Sequence, residues 1–482
     1  MKHEQGFKSR IGFILAAAGS AVGLGNLWAF PYKAGMNGGA IFVLVYIVMA
    51  VIIGFVGMVA EIYIGKRTGK NIVDSYKDVS PKLTWAGVLG VILTVVIASY
   101  YVLLGGWVLK YATSYLIGID LSINGSYEAY FNNFITGGLE PIIYTSIFFV
   151  IAMLILLFGV EKGIERISKV LLPVLFILMI VLTIRSLTLG EGVLEGILFY
   201  IKPDFTNIKG SYILAAMGQA FFSLSLGVGI MVSYGSYASK QKGIAKSATS
   251  VVILDTCVAL LSGFMIFPAV FHFNKVPTGG PGLFFIVMPE IFDGIWMGRL
   301  FGFIFFALVF IAAITSVISL VEVSLQTVTE KTKMKRPHAI LMFLFIILGL
   351  GSLVSLSQGY IKGLQIHGMD LLTFFDTLIS QYMMPLGTII CCIIVGWLIS
   401  RKELKEAFND FKYIHIWLFF AKYITPILVG FILFFGIFKF SGGFGFANDW
   451  IIVLFAVLLA TLPPLINCGY LFYKKKIKKC LD

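Results

Sequence analysis

Asp255 stands within a long apolar run at 244–272. A carboxylate in such a run is costly in lipid, so it marks either a site for an ion or proton or a buried structural pair. Two further stretches put flexible backbone next to side-chain oxygens: Gly19-Ser20-Ala21-Val22-Gly23-Leu24-Gly25-Asn26 and Phe222-Ser223-Leu224-Ser225-Leu226-Gly227-Val228-Gly229. Glycine and serine at mid-helix free carbonyl and N–H groups, which membrane depth tolerates only where they line a cavity or hold a ligand. The chemistry on offer is coordination and recognition, not bond making. Five scattered histidines (His3, His272, His338, His367, His415) form no His-Glu-x-x-His, and no nucleophile has a placed base. The cysteines Cys257, Cys391, Cys392, Cys468 and Cys480 show no Cys-x-x-Cys spacing. An enzyme is therefore not expected, and Glu61, Glu161 and Glu322, near inner span ends, read as solvated or structural.

These residues need helices in lipid to position them. The chain is 59% hydrophobic and only 13% charged, against roughly a quarter charged in soluble proteins. Uncharged runs recur at close to the roughly 20 residues that cross a bilayer as a helix, without the alternation of a membrane barrel. Spans are predicted near 11–36, 39–64, 83–116, 140–158, 166–188, 211–237, 244–272, 298–330, 338–357, 369–400, 416–440 and 448–473, in one transmembrane domain over 1–482. With the N-terminus inside, twenty-seven of the thirty-seven Lys and Arg fall on inner segments and nine outside, with Lys422 inside span eleven. That bias fits the enrichment of basic residues in cytoplasmic loops. It predicts a multi-pass protein of the cell (inner or plasma) membrane with both termini cytoplasmic. The +13 net charge is thereby dispersed, and no nucleic-acid partner is expected. The outer loops near 119–139, 189–210 and 273–297 read as lids or plain connectors.

The two glycine- and serine-rich breaks lie five spans apart. Five is odd, so two such halves sit in opposite orientations, the inverted repeat of many secondary transporters. Repeat one covers about 11–188 and repeat two about 211–400, with extra helices over about 416–473 left to packing or a homodimer contact. Gly19-x-x-x-Gly23 alone also reads as a helix-packing motif. Paired breaks at corresponding places favour a central binding site.

Gly23-Leu24-Gly25-Asn26-Leu27-Trp28-Ala29-Phe30-Pro31-Tyr32, followed by Asn37-Gly38-Gly39-Ala40, resembles the signature of the neurotransmitter:sodium symporter family. The likeness continues in Tyr100-Tyr101, in Gly218-Gln219-Ala220-Phe221-Phe222-Ser223-Leu224-Ser225-Leu226-Gly227 and in Ala312-Ala313-Ile314-Thr315-Ser316. It implies an all-α polytopic membrane protein of about twelve helices, with a 5+5 inverted repeat and broken helices one and six. The function implied is sodium-coupled import of an amino acid by alternating access. Family resemblance carries two sodium ions onto this chain: one at Ala21, Asn26, Ser223 and Asp255, the other at Gly19, Val22, Ala312, Thr315 and Ser316. Without it, Thr315 and Ser316 read as hydroxyls bonded back to their own helix. The amino and carboxylate groups of the substrate are assigned to Ala21, Gly25, Phe222 and Ser225, with Tyr101 donating to the carboxylate and Ser223 beside them. Leu24, Ile97, Phe222, Val228, Ser316 and Leu320 would form an apolar side-chain pocket, suiting a hydrophobic or aromatic amino acid. Ser20 stands where amine-transporting relatives carry Asp, which disfavours a monoamine.

The chain departs from the family in three places. Asp255 replaces a common Asn and Ala259 replaces a Ser or Glu, so a fixed negative charge stands in for bound chloride, which is not expected to be required. Ala29 replaces the Arg of the outer gate, leaving Tyr101 and Phe222 as aromatic closure and Asp376 as an acid without a named partner. Tyr237 and Glu330 match the acidic half of the inner gate, but Glu4 takes the place of its usual Arg, with Lys2, Lys8 or Arg10 as substitutes. Two alternatives stay open: a proton-coupled amino-acid or polyamine carrier of the same architecture, with Asp255 as the proton site, and a sensor that binds without transporting.

Overall fold

The computed structural model describes residues 6–238, 243–277, 283–366 and 368–440; the predicted span at 448–473 lies outside them. Among the described residues, eight continuous helices are long and apolar enough to cross a bilayer. They include span two (Ala40–Thr68), span three (Pro81–Ile117), span four (Leu139–Leu157), span five (Gly163–Leu187), span seven (Ile244–His272), span eight (Gly298–Thr332) and span nine (Arg336–Leu356). Span eleven begins at Ile414, and span ten runs over 371–398. Spans one and six are each divided in two. Span one is Arg10–Ala21 and Gly25–Met36, bent by 48°; span six is Gly210–Ser223 and Ile230–Tyr237.

Burial sorts the spans into centre and periphery. Span eight is 78% buried and span three 67% along their most apolar windows, against 33% for span five and 39% for spans four and nine. The exposed residues of these outer helices include Val170, Ile177 and Phe345, an apolar face that lipid can cover and water cannot. The core thus lies where spans one and six cross three and eight.

Both breaks have local causes. Val22 turns extended (φ −71°, ψ 99°) after Ala21, and the chain resumes at Gly25 in widened π-type turns. In span six, Ser225, Gly227 and Gly229 take φ of +53°, +82° and +81°, a left-handed region that only glycine enters cheaply. Gly227 has a second reason to be glycine: a methyl there would overlap the Met384 carbonyl of span ten. The freed Gly227 N–H is caught by Glu61 of span two at 2.6 Å.

The structure narrows several sequence expectations. Of the solvated and structural readings of Glu61 and Glu322, burial leaves the structural one, since neither has exposed surface. The three long outer loops are not plain connectors: they carry helices Tyr127–Ile135, Val193–Ile201 and Met288–Asp293. The first is capped by Ser126, whose hydroxyl accepts from the Ala129 N–H; all three are far shorter than a span.

At the inner face, Glu322 of span eight meets both terminal nitrogens of Arg336, at 3.1 and 2.5 Å, and the Tyr237 hydroxyl at 2.7 Å. The ion pair at the inner end of span six is therefore Glu322–Arg336, with Glu330 acting on Tyr237 at longer range. Glu330 instead accepts from the backbone and side-chain amides of Asn71, at 3.0 and 2.7 Å. Beside it Asp74 pairs with Lys331 at 2.5 Å. Burial works against the Asp74 charge, but hydrogen bonds from Lys331 and Asn71 hold its carboxyl below the usual range. Of the suggested substitute cations, Arg10 bonds Ser247 and Lys2 lies outside the described residues.

Candidate functional site

A cavity at the crossing of spans one, three, six and eight is walled by Ser20, Ala21, Gly25, Ile97 and Tyr101, and on its other side by Phe222, Ser225, Val228, Ser316 and Leu320. All ten are residues picked from the sequence. Leu24 and Ser223, also picked, lie off the wall, because the turn at Val22 and the end of the helix at Ser223 aim them elsewhere. Gly23, Ile230 and Met384 complete the wall and were missed. Met384 comes from span ten, whose contact with Gly227 no sequence pattern signals. The cavity is small, about 30 Å³, room for a water or two.

Polar groups are concentrated where the helices break. The Tyr101 hydroxyl accepts from the Leu24 N–H at 2.9 Å and also bonds Ser316. Ser225 Oγ donates to the Ser20 carbonyl at 3.2 Å, tying the two unwound segments together. Gly23 permits this approach, since a methyl there would overlap the Ser316 and Tyr101 hydroxyls.

Two oxygen clusters flank the cavity. In the first, Asp255 accepts from Asn26 Nδ2 at 2.8 Å, Ser223 Oγ at 2.8 Å and Tyr46 Oη at 3.1 Å, while Asn26 Nδ2 lies 2.9 Å from Ser223 Oγ. All four side chains are buried. Tyr46 was missed: a tyrosine in an apolar span carries no sign of where its hydroxyl points. Three donors turned on one carboxylate make a cradle that fits a fixed negative charge. In the second cluster, Ser316 Oγ lies 3.2 Å from the Ser20 carbonyl and 3.5 Å from that of Val22. Thr315 Oγ1 donates to the Ala312 carbonyl at 3.0 Å and to Ile311 at 3.2 Å, the back-bonding arrangement. Gly19 packs on Thr315. Gly19, Val22, Ala312, Thr315 and Ser316 are thus brought together, and oxygen-only sets of this kind suit a hard cation. Among the described residues, no group of three or more His, Cys, Asp or Glu is placed to hold a metal.

Comparison with known proteins agrees with this architecture. The sequence profile of the sodium:neurotransmitter symporter family matches residues 4–122 and 137–474. The sodium-dependent transporter YhdH of Bacillus subtilis (strain 168) is 37% identical over 433 residues, covering 87% of this chain and 95% of that one. The human sodium- and chloride-dependent GABA transporter 2 is 24% identical, covering 84% and 74%. The crystal structure of MhsT in complex with L-phenylalanine superposes with a TM-score of 0.85 at 38% identity, covering 90% of this chain and all of that one. With broken spans one and six in an inverted repeat and a family profile matched over nearly its whole length, the chain belongs to the sodium:neurotransmitter symporter family, as a multi-pass, sodium-dependent membrane transporter.

Proposed function

We propose that this transporter imports a hydrophobic or aromatic amino acid together with two sodium ions, from the outside of the cell membrane to the inside, where both termini lie. The observation that carries the reading is the cavity itself: free backbone of spans one and six on one side, Ile97, Val228 and Leu320 on the other, and an oxygen cluster at each flank. Backbone amides and carbonyls recognise the zwitterion, while the apolar wall receives the side chain. MhsT, 38% identical, is described in complex with L-phenylalanine, which supports an aromatic substrate. One sodium is assigned to Ala21, Asn26, Ser223 and Asp255, the other to Gly19, Val22, Ala312, Thr315 and Ser316. Chloride is not needed, because Asp255 occupies the donor cradle. Spans one, two, six and seven rock against the others to expose the site alternately. No bond is made or broken in the substrate.

Two sodium ions with a zwitterion move two charges, worth roughly 4.6 kcal/mol at about 100 mV. At about 1.4 kcal/mol per tenfold, the potential alone sustains an accumulation on the order of 10³. The test is uptake of a panel of radiolabelled amino acids into proteoliposomes under an inward sodium gradient against an equal potassium gradient. Uptake confined to sodium is expected; equal uptake in both would abandon the sodium assignment for the proton-coupled reading. Tyr101→Phe strands the buried Leu24 N–H, a loss of about 1 to 3 kcal/mol. It is expected to weaken sodium-dependent substrate binding about tenfold, and unchanged affinity in equilibrium binding would remove Tyr101 from the site.

A further inference from the structure

Lys422 stands two turns past Ile414, where span eleven begins, a place where a cation is costly in lipid unless it reaches the interface or a partner. Its ammonium lies 4.0 Å from the centre of the Trp397 ring and 5.7 Å from that of Tyr423. Trp397 lies at the inner end of span ten, and its indole N–H donates to the Lys422 carbonyl at 3.3 Å. Gly396 lets the two spans touch there, since a methyl at that position would come within 3.1 Å of the Lys422 backbone. Tryptophan and tyrosine gathered at a span end mark the level of the lipid headgroups.

Just beyond Trp397 the chain bends by 106° into the helix Arg401–Ala407. Span ten crosses the bilayer, so a helix at that angle runs along the surface. Leu404 is buried against the protein, while Arg401, Lys402 and Lys405 are exposed. With Glu406 and Asn409 they line an open cleft of about 740 Å³. Glu406 is the one acid in that wall, so positive charge is in excess. The other acid of the helix, Glu403, is engaged by Arg67 at 2.5 Å and by Tyr63 at 3.3 Å, which ties the helix to span two. Among the described residues, none of Arg401, Lys402, Lys405 and Lys422 forms an ion pair.

We propose that this corner binds an anionic phospholipid, its headgroup among Arg401, Lys402, Lys405 and Lys422 and its acyl chains along span eleven. Tyr423, Ile427 and Phe431 recur every four residues and are all exposed, so they form one stripe running from Lys422 towards the bilayer centre. A soluble anion would meet the cations and leave this stripe bare, whereas a phospholipid matches both. The cytoplasmic leaflet, to which the basic loops assign this end of the bundle, is the anionic one, and each cation near its surface is worth roughly fivefold in partitioning. Lipid held there braces the inner end of span ten, the span whose Met384 lines the central cavity.

The proposal does not depend on which solute is carried. Purified protein in detergent is titrated with phosphatidylglycerol, with phosphatidylcholine of the same acyl chains and with inorganic phosphate, and bound lipid is counted by native mass spectrometry. Wild type should hold phosphatidylglycerol at least about tenfold more tightly than phosphatidylcholine. R401Q/K402Q/K405Q/K422Q should bring that preference within about threefold. The control K77Q/K82Q/K333Q/K335Q, which removes as many exposed inner cations elsewhere, should keep it. R401Q/K402Q/K405Q alters only exposed side chains and carries the same test, with a smaller loss, if the loss of Lys422 prevents folding. A preference that survives in these variants, or that falls equally in the control, would mean diffuse attraction to basic loops and overturn the site. Displacement of the lipid by inorganic phosphate at matched concentration would assign the cleft to a soluble anion and overturn the lipid reading.

Discussion

Asp255→Asn leaves almost no sodium-driven uptake in chloride-free medium and recovers part of it when chloride is added, whereas the wild type transports equally in chloride and in gluconate. Asn26, Ser223 and Tyr46 all donate to the Asp255 carboxylate. A sodium ion about 4 Å from that carboxylate gains roughly 4 kcal/mol at an effective dielectric of about 20. Neutralising the group therefore lowers sodium affinity on the order of 100-fold or more at about 1.4 kcal/mol per decade. Asparagine keeps the volume and one acceptor, so the fold survives; what disappears is the charge. The hydroxyls of Tyr46 and Ser223 are then free to turn towards an anion, and chloride is the small anion at hand. Ala259, one turn away on the same face of span seven, is wholly buried and brings no competing acid. Uptake by the variant that is normal without chloride, or a wild type that fails without it, would show that the fixed charge does not do chloride's work.

Arg336→Ala lowers thermal stability more than any other substitution at the inner face. Glu322 has no exposed surface, and its two charge-assisted partners are both nitrogens of Arg336, itself 18% exposed. Removing the arginine strands a buried carboxylate on the single neutral donor Tyr237, a change that costs about 3 to 5 kcal/mol. The Leu156 carbonyl at the end of span four loses its donor as well. Thermal unfolding in detergent should show the midpoint falling by several degrees, and the double variant E322Q/R336A should recover most of the loss because no buried charge remains. An R336A protein as stable as the wild type would mean that the pair contributes no net stability. The same triad ties the inner half of span six to spans eight and nine, so inward opening must first part Tyr237 from Glu322.

The likeness in spans one, three, six and eight located the cavity well, because local composition makes the breaks. Val22 turns extended and Ser225, Gly227 and Gly229 take positive φ, so neither span one nor span six runs as one helix through its middle, and ten of the twelve residues picked for substrate line the wall. The misses share one cause. Tyr46, Met384 and Arg336 reach the working groups from helices remote in sequence, across crossings that a linear pattern does not encode. Tyr237 and Glu330 both look like members of one gate in sequence, yet Tyr237 turns to Glu322 while Glu330 takes Asn71. Asp376, an acid without an evident partner, accepts from the Tyr100 hydroxyl at 3.5 Å.

What the sequence determined by itself is the set of helices and the places where two of them break. Span length follows from the thickness of hydrocarbon, and a break follows from the residues at the break. Span seven, expected at 244–272, forms Ile244–His272. What only the tertiary structure decided is the pairing of charges: Asp255 with Asn26, Ser223 and Tyr46, Glu322 with Arg336, Lys33 with Gln219. A long side chain rooted one turn away reaches the same point in space, and a buried charge takes whichever donor the helix crossing brings within 3 Å. Helices are therefore written in consecutive residues, but the partner of a buried charge is settled by the angle and depth at which two helices meet.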